Sequence, residues 1–201
     1  MGTNPRQLFL RYLLPLALGL IALLLALFDR EIASLFRYDR SAILAGEWWR
    51  LLSGHLLHLG GPHLVMNLLG LGLVWMIVGS QFSALSWLLI LVADALAISL
   101  GLLAFNPELG WYVGLSGVLH GMLVSGCVAE LRRGRHSGWL ILALVAGKLA
   151  WEQLAGPLPG SEASAGGTVV VDAHLYGALG GLLLGALLPL RREPQAASNS
   201  R

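Results

Sequence analysis

Two polar residues interrupt an otherwise apolar segment, G-L-S-G-V-L-H-G, which runs from Gly114 to Gly121. Ser116 carries a hydroxyl that can act as a nucleophile, and His120, four positions later, shares a helix face with it. Gly114 and Gly117 leave the hydroxyl without neighbouring side chains, so another backbone can approach it closely. Ser116 also lies where a helix begins, and the free N–H groups and positive dipole end there can stabilise an oxyanion. These features favour a nucleophilic serine over one that only hydrogen-bonds a backbone carbonyl.

A second histidine, His174, lies in the segment D-A-H-L-Y-G-A-L-G-G-L-L-L-G. The glycines of this segment recur every four residues, at Gly177, Gly181 and Gly185. This small-xxx-small spacing predicts a membrane helix that packs closely against another helix. Close packing explains the glycines, but it does not explain an imidazole near the same face. Because a serine needs an adjacent base, we expect His174 to take the Ser116 proton during attack on a peptide carbonyl and to return it to the leaving amine.

A third polar pair, His63 and Asn67, has i, i+4 spacing within H-L-V-M-N. Both side chains can donate hydrogen bonds. Either they form an interhelical hydrogen-bond pair, worth about 0.6–2 kcal/mol, or they donate to an oxyanion together with the backbone N–H of Ser116. The sequence offers no obvious membrane carboxylate to orient His174, and Asp172 is expected to point elsewhere. It therefore predicts a Ser–His dyad.

The composition indicates where this chemistry takes place. The chain has 201 residues, of which 56% are hydrophobic and 12% are charged, whereas soluble domains have about 25% charged residues. We therefore expect one all-α domain that crosses a membrane several times. The net charge of +2 gives no reason to expect a nucleic-acid partner, and the single cysteine, Cys127, excludes an internal disulfide. The first apolar run reaches Phe28 without a small-x-small cleavage site, so we do not expect it to be a cleaved signal peptide.

Six apolar segments approach the roughly 20 residues that a spanning helix needs. They lie at residues 9–28, 62–79, 82–105, 115–131, 138–154 and 168–190, within a membrane domain at 9–190. Residues 1–8 and 191–201 form the expected N-terminal segment and tail. The longest connection, 29–61, contains Trp48 and Trp49 beside charged residues, which is typical of the membrane interface and predicts short interfacial helices.

The basic residues predict the orientation of these six spans, because arginine and lysine concentrate on the cytoplasmic side. The side that holds both termini has eight arginines against four on the other side: Arg6, Arg11, Arg132, Arg133, Arg135, Arg191, Arg192 and Arg201 against Arg30, Arg37, Arg40 and Arg50. Both termini are therefore expected in the cytoplasm. Ser116 then begins the fourth helix near the outer side, and since that helix is short, the hydroxyl should lie below the outer surface.

Four motifs, taken in order, resemble those of the rhomboid intramembrane serine proteases. They are W-W-R at 48–50, H-x-x-x-x-H-x-x-x-N at His58, His63 and Asn67, G-x-S-G at 114–117, and A-H-x-x-G-x-x-x-G from Ala173. The resemblance covers nearly the whole chain and implies a six-helix bundle with a water-filled active site below the outer surface. It implies Ser116 as nucleophile, His174 as general base, and His63 and Asn67 as oxyanion-site residues.

Three longer strings look like the rhombosortase subgroup of that family: G-E-W-W-R-L-L-S-G-H, G-L-S-G-V-L-H-G and D-A-H-L-Y-G-A-L. This resemblance implies cleavage of C-terminal Gly-Gly-type sorting signals, which consist of a glycine-rich site, an apolar helix and a basic tail on secreted bacterial proteins. The expected partners are single-span membrane substrates with such a C-terminal helix, and the lipid bilayer. The expected location is the bacterial inner membrane.

One position departs from the family pattern. Rhomboids of bacteria typically have tyrosine four residues after the serine, stacked on the catalytic histidine, where this chain has His120. His120 either replaces that ring as a stacking partner, which we favour, or shares the role of base. Lys148 and Glu152 have i, i+4 spacing on the fifth span and predict an ion pair, interpreted as structural or as a contact near the substrate entrance.

Three other functions are weaker alternatives. A catalytically inactive rhomboid-like binding or chaperone module typically lacks the serine or the histidine, and this chain has both. A transporter or channel is expected to contain inverted repeats with polar sites at the midplane, and the sequence shows no internal repeat. A metal site built from His55, His58, His63, His120 and His174 is disfavoured because they are scattered without acidic or cysteine ligands. We expect neither a metal nor a cofactor.

Overall fold

The computed structural model of the chain describes residues 5–27 and 30–191, with side chains described at 12–27 and 33–191. These residues form ten α-helices, a single 3₁₀ turn and one two-stranded sheet. In chain order they are α1 (Pro5–Leu25), α2 (Arg30–Phe36), β1 (Tyr38–Asp39), α3 (Arg40–Leu44), α4 (Arg50–Ser53), the turn Gly54–Leu56, α5 (Gly61–Val78), α6 (Ala84–Phe105), β2 (Trp111–Tyr112), α7 (Ser116–Arg132), α8 (Ser137–Ala155), α9 (Ser161–Ala165) and α10 (Val171–Leu187). The chain is therefore mostly helical, as expected.

Six of these helices are long, and each lies within a few residues of an expected span: α1, α5, α6, α7, α8 and α10. Among the described helices, α5 and α6 are long and apolar enough to cross a membrane by length and composition, and Val171–Leu187 and Tyr12–Leu25 are apolar but shorter. The number of six spans therefore stays a prediction. Helix α7, in the fourth expected segment, is not among the described helices that are long and apolar enough to cross a membrane. It has only 17 residues, and serine, histidine, glutamate and arginine lie among its apolar residues.

Helix α7 lies at the centre of the bundle. It packs against α5, α6, α8 and α10, and its contact with α10 is the most extensive between any two described elements. Most residues of α7 from Gly117 to Ala129 are buried, so this helix belongs to the core although it is one of the less apolar ones. At its end, Arg132 donates hydrogen bonds of 2.8 and 2.7 Å to the carbonyls of Gly185 and Leu188, which satisfies the last turn of α10.

The backbones of α7 and α10 touch over three turns because both helices have small residues at the contact. A Cβ atom added to a glycine of α10 would meet a backbone carbonyl oxygen of α7. The pairs are Gly177 with Gly117, Gly181 with Gly121, and Gly185 with Ser125. Ser125 also donates a 2.9 Å hydrogen bond to the Gly181 carbonyl. The four-residue glycine spacing thus lies on the face of α10 that contacts α7.

Backbone hydrogen bonds join the first loop to residues 110–114, which lie just before α7. Strands β1 and β2 pair antiparallel, with Tyr38 opposite Tyr112, and the backbone N–H of Gly114 donates a 3.2 Å hydrogen bond to the Gly54 carbonyl. Gly54 needs to lack a side chain, since a Cβ there would lie 2.5 Å from the backbone nitrogen of Tyr38. These contacts fix the position of Gly114, two residues before Ser116.

The first loop contains the short helices α2, α3 and α4, and Arg50 of α4 is bonded to α2 and to two connecting segments. Its buried guanidinium donates to Glu47 at 2.7 Å and to the carbonyls of Ser34 and Arg37 at 2.7 and 3.0 Å. Trp48 and Trp49 are 70% and 52% exposed, which suits rings that lie at a membrane interface.

Most residues of the two chain termini, which are expected to be cytoplasmic, lie outside the part of the chain that the structure describes. Residues 1–4 and 192–201 lie outside the described residues, and they include Arg192 and Arg201 of the orientation argument. The prediction that both termini are cytoplasmic therefore stays a prediction.

Candidate active site

The structure brings Ser116 and His174 together across two helices. Ser116 is the first residue of α7 and His174 lies in the first turn of α10, and the Ser116 Oγ to His174 Nε2 distance is 2.9 Å. The close helix contact explains this distance, because a Cβ on Gly117 would lie 2.7 Å from the carbonyl oxygen of Ala173. Gly117 follows the serine and Ala173 precedes the histidine, so a missing side chain lets the two functional groups meet.

A carboxylate lies on the other side of His174. Glu152 on α8 places its Oε2 and Oε1 atoms 3.0 and 3.1 Å from His174 Nδ1, and its side chain is only 3% exposed. The prediction that no membrane carboxylate orients His174 is therefore wrong. Asp172 accepts a hydrogen bond from Asn106, which turns it away from His174 as expected.

The ion pair predicted on the fifth span is confirmed, and it belongs to the same cluster. Lys148 Nζ lies 2.6 Å from Glu152 Oε1 and 3.3 Å from His174 Nδ1. Neither interpretation of this pair, as structural or as a contact near the substrate entrance, includes its contact with His174. The i, i+4 spacing showed that the two charges share a helix face, but only the packing of α8 against α10 shows which group that face meets.

These contacts determine which nitrogen of His174 carries the proton. Nδ1 has two kinds of neighbour, and the Glu152 oxygens at 3.0 and 3.1 Å are closer than Lys148 Nζ at 3.3 Å. A carboxylate only accepts hydrogen bonds, so Nδ1 donates to Glu152. The neutral ring then has its free lone pair on Nε2, which faces the Ser116 hydroxyl. His174 is therefore in the tautomer that can receive a proton from Ser116.

His63 lies beside the loop that precedes Ser116. The backbone N–H of Leu59 donates a 3.2 Å hydrogen bond to His63 Nδ1, so in the neutral ring Nε2 must carry the proton. A Cβ on Gly114 would lie 3.1 Å from His63 Cε1 and 3.4 Å from Nε2, so this edge of the ring faces the Gly114 backbone. The His63 Nε2–H therefore lies beside the backbone two residues before Ser116.

Asn67 lies one turn further along α5 and is buried. Its Nδ2 atom donates a 3.1 Å hydrogen bond to the carbonyl of His63. An amide group has two N–H donors, so this bond uses one of them. The bond also fixes the direction in which the amide points.

His120 stacks on His174, with ring centroids 4.4 Å apart and an angle of 22° between the planes. Its Nδ1 atom lies 2.8 Å from the carbonyl oxygen of Ser116, to which it must donate. This geometry is that of a stacking partner, and it directs the His120 Nδ1–H at the Ser116 backbone instead of the hydroxyl.

Two other histidines, His55 and His58, lie in the first loop, and His58 contacts His63. His55 is buried, and its Nε2 atom lies 3.0 Å from both Ala95 O and Ser99 Oγ. The His58 and His63 rings meet edge to face at 5.1 Å. Within residues 5–27 and 30–191, no group of three or more histidine, cysteine or acidic residues is arranged to hold a metal ion.

Comparison with known proteins gives a consistent result. A rhomboid domain matches residues 45–191, which include most of the first loop and every residue of the cluster described above. The chain is 36% identical to Rhomboid protease GluP of Bacillus subtilis (strain 168) over 85 residues, which cover 42% of this chain and 16% of GluP. It is 26% identical to Putative rhomboid protease YdcA of the same organism over 148 residues, which cover 74% of this chain and 71% of YdcA.

The match to GluP is thus confined to a small part of that longer protein, whereas the match to YdcA covers most of both chains. Because the domain match extends over well more than half of the sequence and contains α5 to α10, it includes the helices that carry the site. The chain is an integral membrane protein and belongs to the rhomboid family.

Proposed function

We propose that this chain is an intramembrane serine endopeptidase in which Ser116 is the nucleophile and His174 the general base. The observation that carries this proposal is the 2.9 Å contact between Ser116 Oγ and His174 Nε2. A serine hydroxyl reacts at neutral pH only when such a base accepts its proton. An inactive binding module has no need of this pair, so its presence favours an enzyme.

The reaction follows from the positions of the groups. Ser116 Oγ attacks the substrate carbonyl carbon while its proton moves to His174 Nε2, and the carbonyl oxygen becomes an oxyanion. The backbone N–H of Ser116, the His63 Nε2–H and the Asn67 amide are the proposed donors to that oxyanion. His174 then gives its proton to the leaving amine, which departs and leaves an ester on Ser116. Water hydrolyses the ester, with His174 again taking and returning a proton.

The proposed substrates are single-span membrane proteins that are cut near the outer boundary of the membrane. Ser116 begins α7 at the end of the bundle where the first loop is attached, and the arginine distribution puts that end outside. The rhombosortase-like strings make C-terminal Gly-Gly-type sorting signals of secreted proteins the proposed target, and the bacterial inner membrane, with both termini cytoplasmic, the proposed location.

The test is cleavage in proteoliposomes of a secreted protein that ends in a Gly-Gly site, an apolar helix and a basic tail. The wild type should cleave it, and Ser116→Ala and His174→Ala should be inactive. Ser164→Ala changes an exposed serine of α9 and should be as active as the wild type. Cleavage that persists in Ser116→Ala would refute the mechanism. A wild type that cuts other membrane substrates but not this tail would refute the rhombosortase assignment alone, and a wild type that cuts none would support the binding module.

A further inference from the structure

The contact between Glu152 and His174 adds a third member to the predicted pair. We propose that Glu152 is a positioning residue that completes a Ser116–His174–Glu152 triad, and that Lys148 keeps the Glu152 carboxylate charged and oriented. This inference rests on the proposed protease function. It goes beyond it because the sequence predicts a Ser–His dyad.

Glu152 fixes the plane and the orientation of the His174 ring. Both carboxylate oxygens lie within 3.1 Å of Nδ1, so rotation of the ring about its Cβ–Cγ bond breaks these contacts. His120 covers one face of the same ring at 4.4 Å. With its edge held by Glu152 and its face by His120, the ring presents Nε2 to Ser116 and cannot turn away without losing both contacts.

Glu152 also compensates the charge that forms during the reaction. When the Ser116 proton arrives on Nε2, the ring becomes a cation that still has its proton on Nδ1. Glu152 stays a carboxylate, accepts the Nδ1–H hydrogen bond throughout and takes no proton itself. The Nε2 proton later leaves with the amine, which returns the ring to its neutral form. A buried cation without a partner is costly, so the carboxylate lowers the barrier to this transfer.

Lys148 explains how a carboxylate can be retained at this depth. An isolated acid in a membrane interior is strongly destabilised in its charged form, and a protonated Glu152 would donate to Nδ1 and force the proton of His174 onto Nε2. The Lys148 ammonium, 2.6 Å from Oε1, gives the carboxylate a charged partner. It comes from the preceding turn of α8, so one helix face supplies both charges.

The wild-type protein itself provides the first test. The proton of neutral His174 should be on Nδ1, and ¹⁵N NMR of histidine-labelled protein in detergent distinguishes the two tautomers, with His174→Ala identifying the signal. A neutral His174 that carries its proton on Nε2 would overturn the proposal before any substrate is known.

The second test is Glu152→Gln, which keeps the shape of the side chain. Lys148 donates to the amide oxygen, so the NH₂ end faces Nδ1 and forces the unproductive tautomer. We expect kcat to fall by up to about 10⁴-fold, the loss that follows when the carboxylate of a serine protease triad becomes an amide. KM should stay within about twofold, because Glu152 acts on His174 and not on the substrate. Glu108→Gln removes an exposed carboxylate and is the control.

The role of Lys148 has its own prediction. Lys148→Met should lower kcat less than Glu152→Gln does. In the double variant the glutamine is free to turn its oxygen toward Nδ1, so it should be more active than Glu152→Gln alone. A double variant that is no more active would contradict the role given to Lys148.

The outcomes separate this inference from the proposed function. If the wild type cleaves, Ser116→Ala does not, and Glu152→Gln retains kcat within about threefold, the triad is wrong and the protease stands. If the wild type itself cleaves no membrane substrate, the protease proposal is wrong. If Glu152→Gln shows no thermal unfolding transition, the variant is not folded and its activity is not used. The NMR measurement on the wild type then decides the proposal by itself.

Discussion

Replacing Gly117 with alanine is expected to separate Ser116, the proposed nucleophile, from His174, its proposed base. The added Cβ would lie 2.7 Å from the Ala173 carbonyl oxygen and 2.9 Å from Ile98 Cδ1. The isoleucine methyl can rotate away, but the carbonyl belongs to the backbone of α10 and moves only with its helix. Ordinary van der Waals contact for a Cβ begins at 3.4 Å, and the Ala173 carbonyl oxygen would be at 2.7 Å. Helix α10 must therefore move away from α7 by about 0.7 Å.

That shift acts directly on the proposed chemistry, because Ala173 is next to His174 and Gly117 is next to Ser116. A shift along the Oγ–Nε2 direction lengthens that distance from 2.9 Å to as much as about 3.6 Å, beyond the range of a hydrogen bond. A misplacement of this size costs on the order of 10²-fold in rate. The overpacked contact should also destabilise the protein by about 1–3 kcal/mol.

The assay is cleavage of the Gly-Gly-tailed substrate, together with the rate at which a fluorophosphonate labels Ser116. Gly147→Ala is the matched control, since this glycine is also within a helix and a Cβ there meets nothing within 4 Å. The control should keep full activity and be slightly stabilised, by about 0.5–1 kcal/mol. If Gly117→Ala labels and cleaves at the wild-type rate, the helix contact does not set the Ser116–His174 distance, and the reasoning is refuted.

Three further changes test other parts of the site. His120→Phe keeps a ring on His174 and should retain cleavage within about threefold, whereas a loss as large as that of His174→Ala would assign His120 a share of the base role. Gly114→Ala introduces a side chain at a backbone φ of +139° and 3.1 Å from His63 Cε1. It should destabilise the protein by about 1–3 kcal/mol and lower kcat, and an unchanged melting temperature and kcat would show that the backbone is not strained by the side chain. Burial lowers the pKa of His55 in the first loop to about 4 from 6.5, so the unfolded chain binds more protons between these values. Stability should therefore be complete above pH 6.5 and fall by up to about 3 kcal/mol as the pH drops toward 4. In His55→Gln the melting temperature should depend less on pH over this range than it does in the wild type. An equally strong pH dependence would rule out His55 as its source.

The residues that carry local signals could be read from the sequence. Ser116 and His174 were found because polar residues among glycines are unusual in apolar helices, and the glycine spacing of α10 predicted a close contact without naming its partner. The structure supplies that partner, Gly117 and its neighbours on α7. The contact could not be assigned in advance because glycine spacing indicates a face and not the helix that meets it.

Other features have no local signal. Strands β1 and β2 are two residues each, too short for the alternation that identifies a strand. Glu152 stands in an apolar helix with Lys148 one turn before it, and that spacing correctly predicted their ion pair. Its contact with His174 depends on how α8 is rotated against α10, which is a property of tertiary packing. The sequence therefore indicates Glu152 and its ion pair, but not the contact of its carboxylate with His174.

Two kinds of contact hold the site together, a rigid backbone contact between α7 and α10 and a side-chain contact from Glu152 on α8. The separation between the backbones of Ser116 and His174 is set by the contact of Gly117 with the Ala173 carbonyl, and no side-chain rotamer can alter that separation. Glu152, in contrast, reaches His174 through a flexible side chain on α8, which makes a smaller contact with α10 than α7 does. A small displacement of α8 can therefore break the Glu152 contact while Ser116 and His174 stay together. It follows that substitutions between α7 and α10 should move the backbones of Ser116 and His174 apart, whereas those that loosen α8 should release the His174 ring while the two backbones stay in place.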